Sequence, residues 1–99
     1  MLKNKTVVLG VSGSIAAYKS ANLARMLKKL GADVHVLMTN NAANFINPIT
    51  FETLTQNKCL MDTFDRNFQY SVEHVSIAKK ADVVMIAPAS ANVIGKIAN

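Results

Sequence analysis

The chain has 99 residues, of which 51% are hydrophobic and 17% are charged. A chain of this length forms one small domain, and its apolar content is too high for a disordered protein. A core this apolar on so few residues is expected to be covered in part by other subunits or by further sequence.

The net charge of +5 could indicate nucleic acid or another anion as a ligand. Two lysine pairs, Lys28 with Lys29 and Lys79 with Lys80, fall where predicted helices end, and the helix dipole favours cations there. The sequence has no arginine-rich run and no aromatic residues interleaved with basic ones. We therefore attribute the basic excess mainly to solvated helix ends and predict no nucleic-acid partner.

The sequence favours neither a disulfide, nor a metal site, nor a membrane-spanning segment. Cys59 is the single cysteine, which excludes an intramolecular disulfide and a cysteine-based zinc site, and we interpret it as a core residue. His35 and His74 lack partners at metal-ligand spacing, so no metal site is expected and His35 is interpreted as structural. The N-terminus lacks the apolar segment of a signal peptide, and no apolar run reaches the roughly 20 residues of a membrane helix. These features predict a cytoplasmic protein without membrane contact.

The first third of the chain predicts a strand, a helix and a second strand. Thr6–Val11 is a β-branched apolar run, and apolar residues then recur at helical spacing over residues 15–30. Ser14 suits the N-cap of this helix, and Gly31 suits the residue just past its end. Residues 34–38 form another apolar run. Together they match a βαβ unit of about 30 residues.

The rest of the chain continues the alternation of helices and strands. The pattern predicts two short helices on either side of Pro48, then a short edge strand, a polar loop, a helix, a strand and a last helix. Their predicted ranges, in that order, are residues 42–46, 49–55, 58–64, 65–69, 72–80, 82–87 and 90–99.

This alternation predicts an α/β fold with a parallel sheet that carries helices on both faces. With the strand order 3-2-1-4, the crevice where strand order reverses falls between Thr6–Val11 and the strand at residues 82–87. Ligands of such folds lie in that crevice, beside the loops that follow the strands. The two loops, Ser12 to Ser14 and Pro88 to Asn92, are both rich in small, hydroxylated residues.

The glycine- and serine-rich turn from Gly10 to Ser14 is a candidate phosphate site. Gly13 allows close approach of the backbone to a ligand, Ser12 and Ser14 offer hydroxyl groups, and a helix N-terminus favours an anion. The turn matches neither the dinucleotide fingerprint nor the P-loop, and no acidic residue follows Leu37 to hold a ribose. A mononucleotide phosphate therefore fits better than NAD, and the alternative is a tight turn that binds nothing.

Other candidates for this edge have a structural alternative each. Thr39 could donate to a phosphate or a ring, or could cap the next helix. Ala91 and its small neighbours would admit a flat ring, with Ser90 and Asn92 as polar contacts or as helix caps. Phe45 could cover an aromatic ligand, although its spacing also suits the core.

His74 is the candidate for proton chemistry. It is predicted near the start of the helix that leads into the strand at residues 82–87, beside Glu73. A histidine can act there as an acid, a base or a hydrogen-bond partner of a substrate carboxylate. The alternative is an exposed residue at the start of a helix.

Three segments resemble one known family. They are Gly10-Val-Ser-Gly-Ser-Ile-Ala-Ala-Tyr-Lys, His74-Val-Ser-Ile-Ala-Lys-Lys-Ala-Asp and Ala87-Pro-Ala-Ser-Ala-Asn-Val-Ile-Gly-Lys-Ile-Ala-Asn. In order and spacing they resemble the homo-oligomeric flavin-containing cysteine decarboxylases, and most of all the phosphopantothenoylcysteine decarboxylases of coenzyme A biosynthesis. The resemblance implies a Rossmann-like, flavodoxin-type fold, FMN at a subunit interface, and trimers that can assemble into dodecamers.

The resemblance also implies roles for individual residues. Gly13 and Ser14 would contact the FMN phosphate region with Thr39 beside them, and Phe45 would approach the flavin. The segment of Ser90, Ala91 and Asn92 would line the flavin, and His74 would be the active-site histidine. In this family FMN oxidises the substrate cysteine to a thioaldehyde, which loses CO₂ readily. Reduced FMN then returns the electrons, giving 4′-phosphopantetheine from 4′-phosphopantothenoylcysteine.

Family members continue past Asn99 through a Pro-x-Met-Asn-x-x-Met-Trp motif and a flap with a reactive cysteine, neither of which occurs in these residues. Residues 1–99 are therefore expected to be the N-terminal part of a single FMN-binding domain, without turnover alone. The alternatives are a non-catalytic flavin-binding, regulatory or oligomerisation module of the same family, or another flavoprotein such as a peptidyl-cysteine decarboxylase or flavin prenyltransferase.

Overall fold

The computed structural model describes residues 3–12, 14–62 and 68–87. Strands and helices alternate along the chain, as the sequence predicts. In order they are β1 (Thr6–Val11), α1 (Ser14–Lys29), β2 (Asp33–Thr39), α2 (Asn40–Ala43), α3 (Pro48–Thr55), β3 (Leu60–Asp62), α4 (Phe68–Lys79) and β4 (Val83–Ala87). The helix predicted at residues 90–99 lies outside the described residues.

The described strands form a four-stranded parallel sheet in the order β3-β2-β1-β4, so the predicted order is confirmed. Val11 pairs with Met38 on one side and with Ala87 on the other. Thr39 pairs with Asp62. The carboxyl ends of the strands therefore lie along one side of the sheet, here named the carboxyl edge.

The central strand β1 is buried on both faces, which explains its unbroken apolar run. Its side chains alternate between two clusters, because successive residues of a strand point to opposite faces. Leu9 belongs to the cluster beneath α1 and α3, whereas Val8 belongs to the cluster beneath α4. We name these two sides the α1/α3 face and the α4 face.

The two faces differ in the amount of buried apolar side chain. On the α1/α3 face the cluster contains Val7, Leu9, Val11, Ala24, Leu27, Ala32, Val34, Val36, Met38, Ala42, Phe51 and Cys59. On the α4 face the cluster contains Val8, Leu37, Phe68, Val72, Ala81 and Val84. A single described helix, α4, covers the second face.

The end of α1 confirms the predicted role of Gly31. This glycine has a φ of 95°, in the left-handed region. The N–H of Ala32 donates to the carbonyl of Leu27 at 3.1 Å, and the N–H of Gly31 donates to that of Lys28 at 3.0 Å. This pair of hydrogen bonds is a Schellman motif, which closes the helix and turns the chain into β2. Ser14, predicted as the N-cap, is the first residue of α1 itself.

Helix boundaries differ from the predictions where tertiary contacts or caps decide them. Helix α2 begins at Asn40, not residue 42, because Thr39 caps it. Helix α3 begins at Pro48, with the side chain of Asn47 accepting a hydrogen bond from the N–H of Ile49 at 3.0 Å. The edge strand predicted at residues 58–64 is confirmed at the edge and spans Leu60–Asp62.

Helix α4 begins four residues before its predicted start at Val72. The loop predicted at residues 65–69 is therefore wrong for its last two residues, and residues 65–67 lie outside the described part. Phe68 is buried one turn before Val72, so the two side chains extend the apolar stripe of the helix onto the sheet. The polar sequence just before Phe68 concealed this contact.

Candidate functional site

The carboxyl edge contains the predicted crevice. Strand β1 lies between β2 and β4, so the chain adds strands on one side of β1 and then crosses to the other. The crevice of such a sheet lies at this reversal, between the ends of β1 and β4. Val11 and Ala87 pair there directly, which confirms that the carboxyl ends of β1 and β4 lie side by side.

Helix α1 begins just after β1, with Ser14 as its first residue. Its N-terminal N–H groups and its dipole therefore favour an anion at this edge. Of the other predicted flavin-binding residues, Gly13, Ser90, Ala91 and Asn92 lie outside the described residues.

Thr39 is the last residue of β2 and lies at the carboxyl edge. It is 2% exposed, and its Oγ1 accepts a hydrogen bond from the N–H of Ala42 at 3.1 Å. The structural alternative weighed for this residue, an N-cap, is therefore present. Contact of Thr39 with a flavin stays a prediction.

Phe45 follows α2 and is not a core residue. Its N–H donates to the carbonyl of Ala42 at 3.0 Å, which places it in the turn before α3. Its side chain is 43% exposed, so the core interpretation is wrong. The turn interrupts the helical spacing on which that interpretation depended. The exposed ring is compatible with contact to a flat ligand, which stays a prediction.

His74 lies in the middle of α4 and not near its start, because the helix already begins at Phe68. Six residues of helix place His74 about 9 Å further along the axis. Helix α4 connects parallel strands and so runs from the carboxyl edge back across the sheet. His74 is exposed, and its ring stacks on that of Tyr70, with centroids 6.0 Å apart and planes at 23°.

An open pocket of about 320 Å³ lies between α4 and the strands β2 and β3. Its lining combines an apolar floor with an imidazole, a phenol, a hydroxyl and a carboxylate. The residues are Leu37, Leu60, Met61, Asp62, Tyr70, Ser71, His74 and Val75. The arrangement suits a ligand with an apolar part and a group that exchanges a proton with His74. Among residues 3–12, 14–62 and 68–87, no cluster of three or more His, Cys, Asp or Glu side chains could hold a metal ion.

Gly10 has a role that the sequence interpretation missed. It lies inside β1 and not in the loop, and a Cβ at this position would come within 2.6 Å of Val72 Cγ2 and 3.1 Å of the Phe68 ring. The missing side chain lets α4 pack closely on the central strand. A glycine inside an apolar strand run is the signal that could have indicated this contact.

Two further residues have structural roles, as predicted. Cys59 is buried in the core, and burial raises the pKa of its thiol to about 12, with the charge of Glu52 adding to the shift. His35 Nε2 lies 3.0 Å from Asp33 Oδ2, away from the carboxyl edge. A hydrogen bond from Asn57, followed by the contact with His35, keeps the pKa of Asp33 below its usual value.

Comparison with known proteins decides the family. The family model described as Flavoprotein matches residues 1–99. The chain belongs to the Flavoprotein family. This confirms the resemblance drawn from the three sequence segments and the fold class that it implies.

Relatives of this flavoprotein chain include a protein of coenzyme A biosynthesis. The chain is 44% identical over 99 residues to the coenzyme A biosynthesis bifunctional protein CoaBC of Bacillus subtilis, covering 100% of this chain and 24% of that protein. It is 44% identical over 95 residues to a probable phosphopantothenoylcysteine decarboxylase of Streptococcus mutans, covering 96% and 53%. The chain thus spans about a quarter of the first relative and about half of the second.

Solved structures of similar fold include two decarboxylases. The FMN-dependent cysteine decarboxylase SpaF superposes with a TM-score of 0.67 at 25% identity, covering 90% of this chain and 51% of SpaF. A PPC decarboxylase mutant in complex with pantothenoylaminoethenethiol superposes with a TM-score of 0.56 at 26% identity, covering 87% and 48%. In the described part of this flavoprotein chain, no helix has the length and apolar character needed to cross a membrane.

Proposed function

We propose that this chain is the N-terminal part of an FMN-binding domain that decarboxylates 4′-phosphopantothenoylcysteine to 4′-phosphopantetheine in coenzyme A biosynthesis. The observation that carries the proposal is 44% identity, over 99 and 95 residues, to a bifunctional coenzyme A protein and to a probable decarboxylase of this substrate. The domain assignment of residues 1–99 and the cytoplasmic setting are parts of the same proposal.

The carboxyl edge fits FMN. Helix α1 begins beside the crevice and suits the phosphate, and the exposed ring of Phe45 suits contact with a flat ring. In this proposal Gly13 and Ser14 hold the phosphate region, with Thr39 beside them. The segment of Ser90, Ala91 and Asn92 lines the ring. When bound, FMN would supply the two-electron oxidation of the cysteine thiol and the later return of those electrons.

His74 supplies the proton chemistry in this proposal. Its imidazole is exposed at the pocket on the α4 face, where it can hold or exchange a proton with the substrate or hydrogen-bond its carboxylate. Leu37 and Leu60 belong to the apolar floor beside it, which keeps water from that side of the ligand. The apolar floor and the imidazole together orient the cysteine end of the substrate.

A second copy of the chain is the proposed partner. His74 lies over the β2 and β3 side of the sheet, whereas the crevice lies between β1 and β4. Within one chain, the two parts of the site are therefore apart. Ile77 and Met61 flank His74 and are 76% and 40% exposed. A neighbouring subunit that covers these apolar side chains could bring its crevice to His74. The proposed assembly is a homo-oligomer, and the family resemblance implies a trimer or a dodecamer.

The second candidate is decarboxylation of a cysteine within a peptide. The observation that favours it is the superposition with SpaF, an FMN-dependent cysteine decarboxylase, at a TM-score of 0.67. Both candidates predict bound flavin and release of CO₂. They differ in the substrate: phosphopantothenoylcysteine for the first, and a peptide that ends in cysteine for the second.

The test uses the full-length gene product that contains this chain. We expect a yellow protein that releases FMN on denaturation and liberates CO₂ from phosphopantothenoylcysteine. Turnover of the peptide alone would favour the second candidate, and bound FMN without CO₂ from either substrate would indicate a non-catalytic flavin-binding module. A colourless protein that takes up no added FMN would contradict both candidate functions and the non-catalytic flavin-binding module.

A further inference from the structure

We propose that Tyr70 is a positioning residue that orients the imidazole of His74 by stacking on it. The proposal rests on the proposed function of His74 and extends it to a neighbour on the same helix. The contact between the two rings on α4 is the observation behind this role.

The two rings meet the geometric conditions for an offset stack. Their centroids are 6.0 Å apart and their planes make an angle of 23°. Attractive aromatic pairs have centroids about 4.5–7 Å apart. Tyr70 lies four residues before His74 on α4, a spacing at which helix side chains are neighbours.

The stack orients the imidazole of His74 more than it stabilises the fold. The side chain of Tyr70 is 67% exposed, so its removal takes little apolar surface from the core. An exposed imidazole without a stacking partner samples several rotamers. The substrate can react with only one of them, so the others reduce the rate. The Tyr70 ring reduces the number of rotamers before the substrate arrives.

The stacked pair also borders the pocket proposed for the substrate. Tyr70 and His74 both line the opening between α4 and strands β2 and β3, together with Ser71. Because the Tyr70 ring occupies one side of the imidazole, the other side remains for the ligand. Stacking therefore selects which face of His74 meets the substrate.

The test compares Tyr70→Ala with Tyr70→Phe in the full-length protein. The alanine variant removes the stack, so we expect kcat to fall between about 2-fold and 10-fold with little change in KM, as the worth of an aromatic pair implies. The phenylalanine variant keeps the stack and should retain wild-type kcat. Tyr18→Ala is the matched control, since Tyr18 is 63% exposed on α1 and should leave kcat unchanged.

An NMR measurement separates this inference from the proposed function. The ring current of Tyr70 should displace the carbon-bound proton resonances of the His74 imidazole. This displacement should disappear in Tyr70→Ala and persist in Tyr70→Phe, whether or not the protein turns over the proposed substrate.

Three results would overturn the positioning role. The first is an unchanged imidazole spectrum in Tyr70→Ala, and the second is a kcat equal to wild type in that variant. The third is dissociation of the oligomer in Tyr70→Ala, seen by light scattering, since it would assign the loss of activity to a subunit contact. Absence of turnover in the wild type would instead contradict the proposed function and leave the NMR result to decide the stack.

Discussion

The α1/α3 face and the α4 face of the sheet are covered unequally. On the α1/α3 face two helices pack against the sheet and bury large side chains such as Phe51 and Leu9, both 0% exposed. On the α4 face one described helix leaves an open pocket of about 320 Å³ and the exposed side chains of Tyr70, His74 and Ile77. The α1/α3 face therefore mainly stabilises the fold, whereas the α4 face leaves side chains accessible to a ligand.

This division has a physical reason. The buried cluster of the α1/α3 face has no room for a ligand within it, because protein interiors are packed like crystals. On the partly covered face, the backbone is held in place because the same strands are packed on the other face of the sheet. Its side chains nevertheless stay accessible. Substitutions on the two faces should therefore differ in whether they change stability or activity.

The largest expected effect on stability is at Phe51, on the α1/α3 face. Phe51→Ala should lower the free energy of unfolding by about 3–5 kcal/mol, because it leaves a cavity in a fully buried cluster. Phe45→Ala is the matched control and should lower it by at most about 1 kcal/mol, since that ring is exposed. Urea denaturation measures both. Equal losses in the two variants would contradict the assignment of the core.

Gly10 tests the contact between β1 and the α4 face. Gly10→Ala should destabilise the protein by about 1–3 kcal/mol, because the new Cβ would press against Val72. Val72→Ala removes the contacting methyl groups, so the double variant should lose less than the sum of the two single variants. Strict additivity of the three unfolding free energies would show that α4 does not approach the strand this closely.

The end of α4 offers a stabilising change. Lys80 has a φ of 52°, and the N–H of Ala81 donates to the carbonyl of Ser76 at 2.9 Å, as at the end of a Schellman motif. Lys80→Gly should stabilise the protein by about 1 kcal/mol or less, since glycine accepts this backbone conformation without strain.

The control for this change is Ala78→Gly, inside the same helix, which should destabilise by about 1 kcal/mol. Thermal unfolding of both variants gives the comparison. A lower midpoint for Lys80→Gly than for the unchanged protein would contradict the assigned helix end.

The smallest effect near neutral pH is expected at Cys59. Burial, with Glu52, raises the pKa of the thiol to about 12 from 9.0. The unfolded thiol ionises first as the pH rises, so stability is unaffected below pH 9 and falls above it. Native protein should resist thiol alkylation at about pH 8 and react once unfolded. Rapid alkylation under native conditions would show that Cys59 is accessible, and the Cys59→Ala variant should lack the pH-dependent loss.

Much of the fold follows from local sequence pattern. The apolar run Thr6–Val11 predicts β1 with its observed bounds, and Gly31 predicts the end of α1. The strand order is the usual one of doubly wound sheets, which was the order expected here. The bounds of β1 and the end of α1 were predictable because each depends on a few adjacent residues.

Two of the features that escaped prediction depend on contacts between distant residues, and a third depends on a local turn. The start of α4 depends on the burial of Phe68 against β1. Gly10 is needed in β1 because a larger residue there would clash with the same helix. The exposure of Phe45 depends on a turn that the helical spacing did not reveal. For the site, the juxtaposition of the ends of β1 and β4 at the carboxyl edge was predictable, whereas the position of His74 at mid-helix required the three-dimensional structure.

The His74→Asn variant of the full-length protein tests the role of His74 most directly. Asparagine keeps a polar side chain but cannot exchange a proton near neutral pH. We predict that this variant binds FMN and unfolds like the unchanged protein but no longer releases CO₂ from phosphopantothenoylcysteine. Full turnover by His74→Asn would contradict the assignment of proton chemistry to the α4 face.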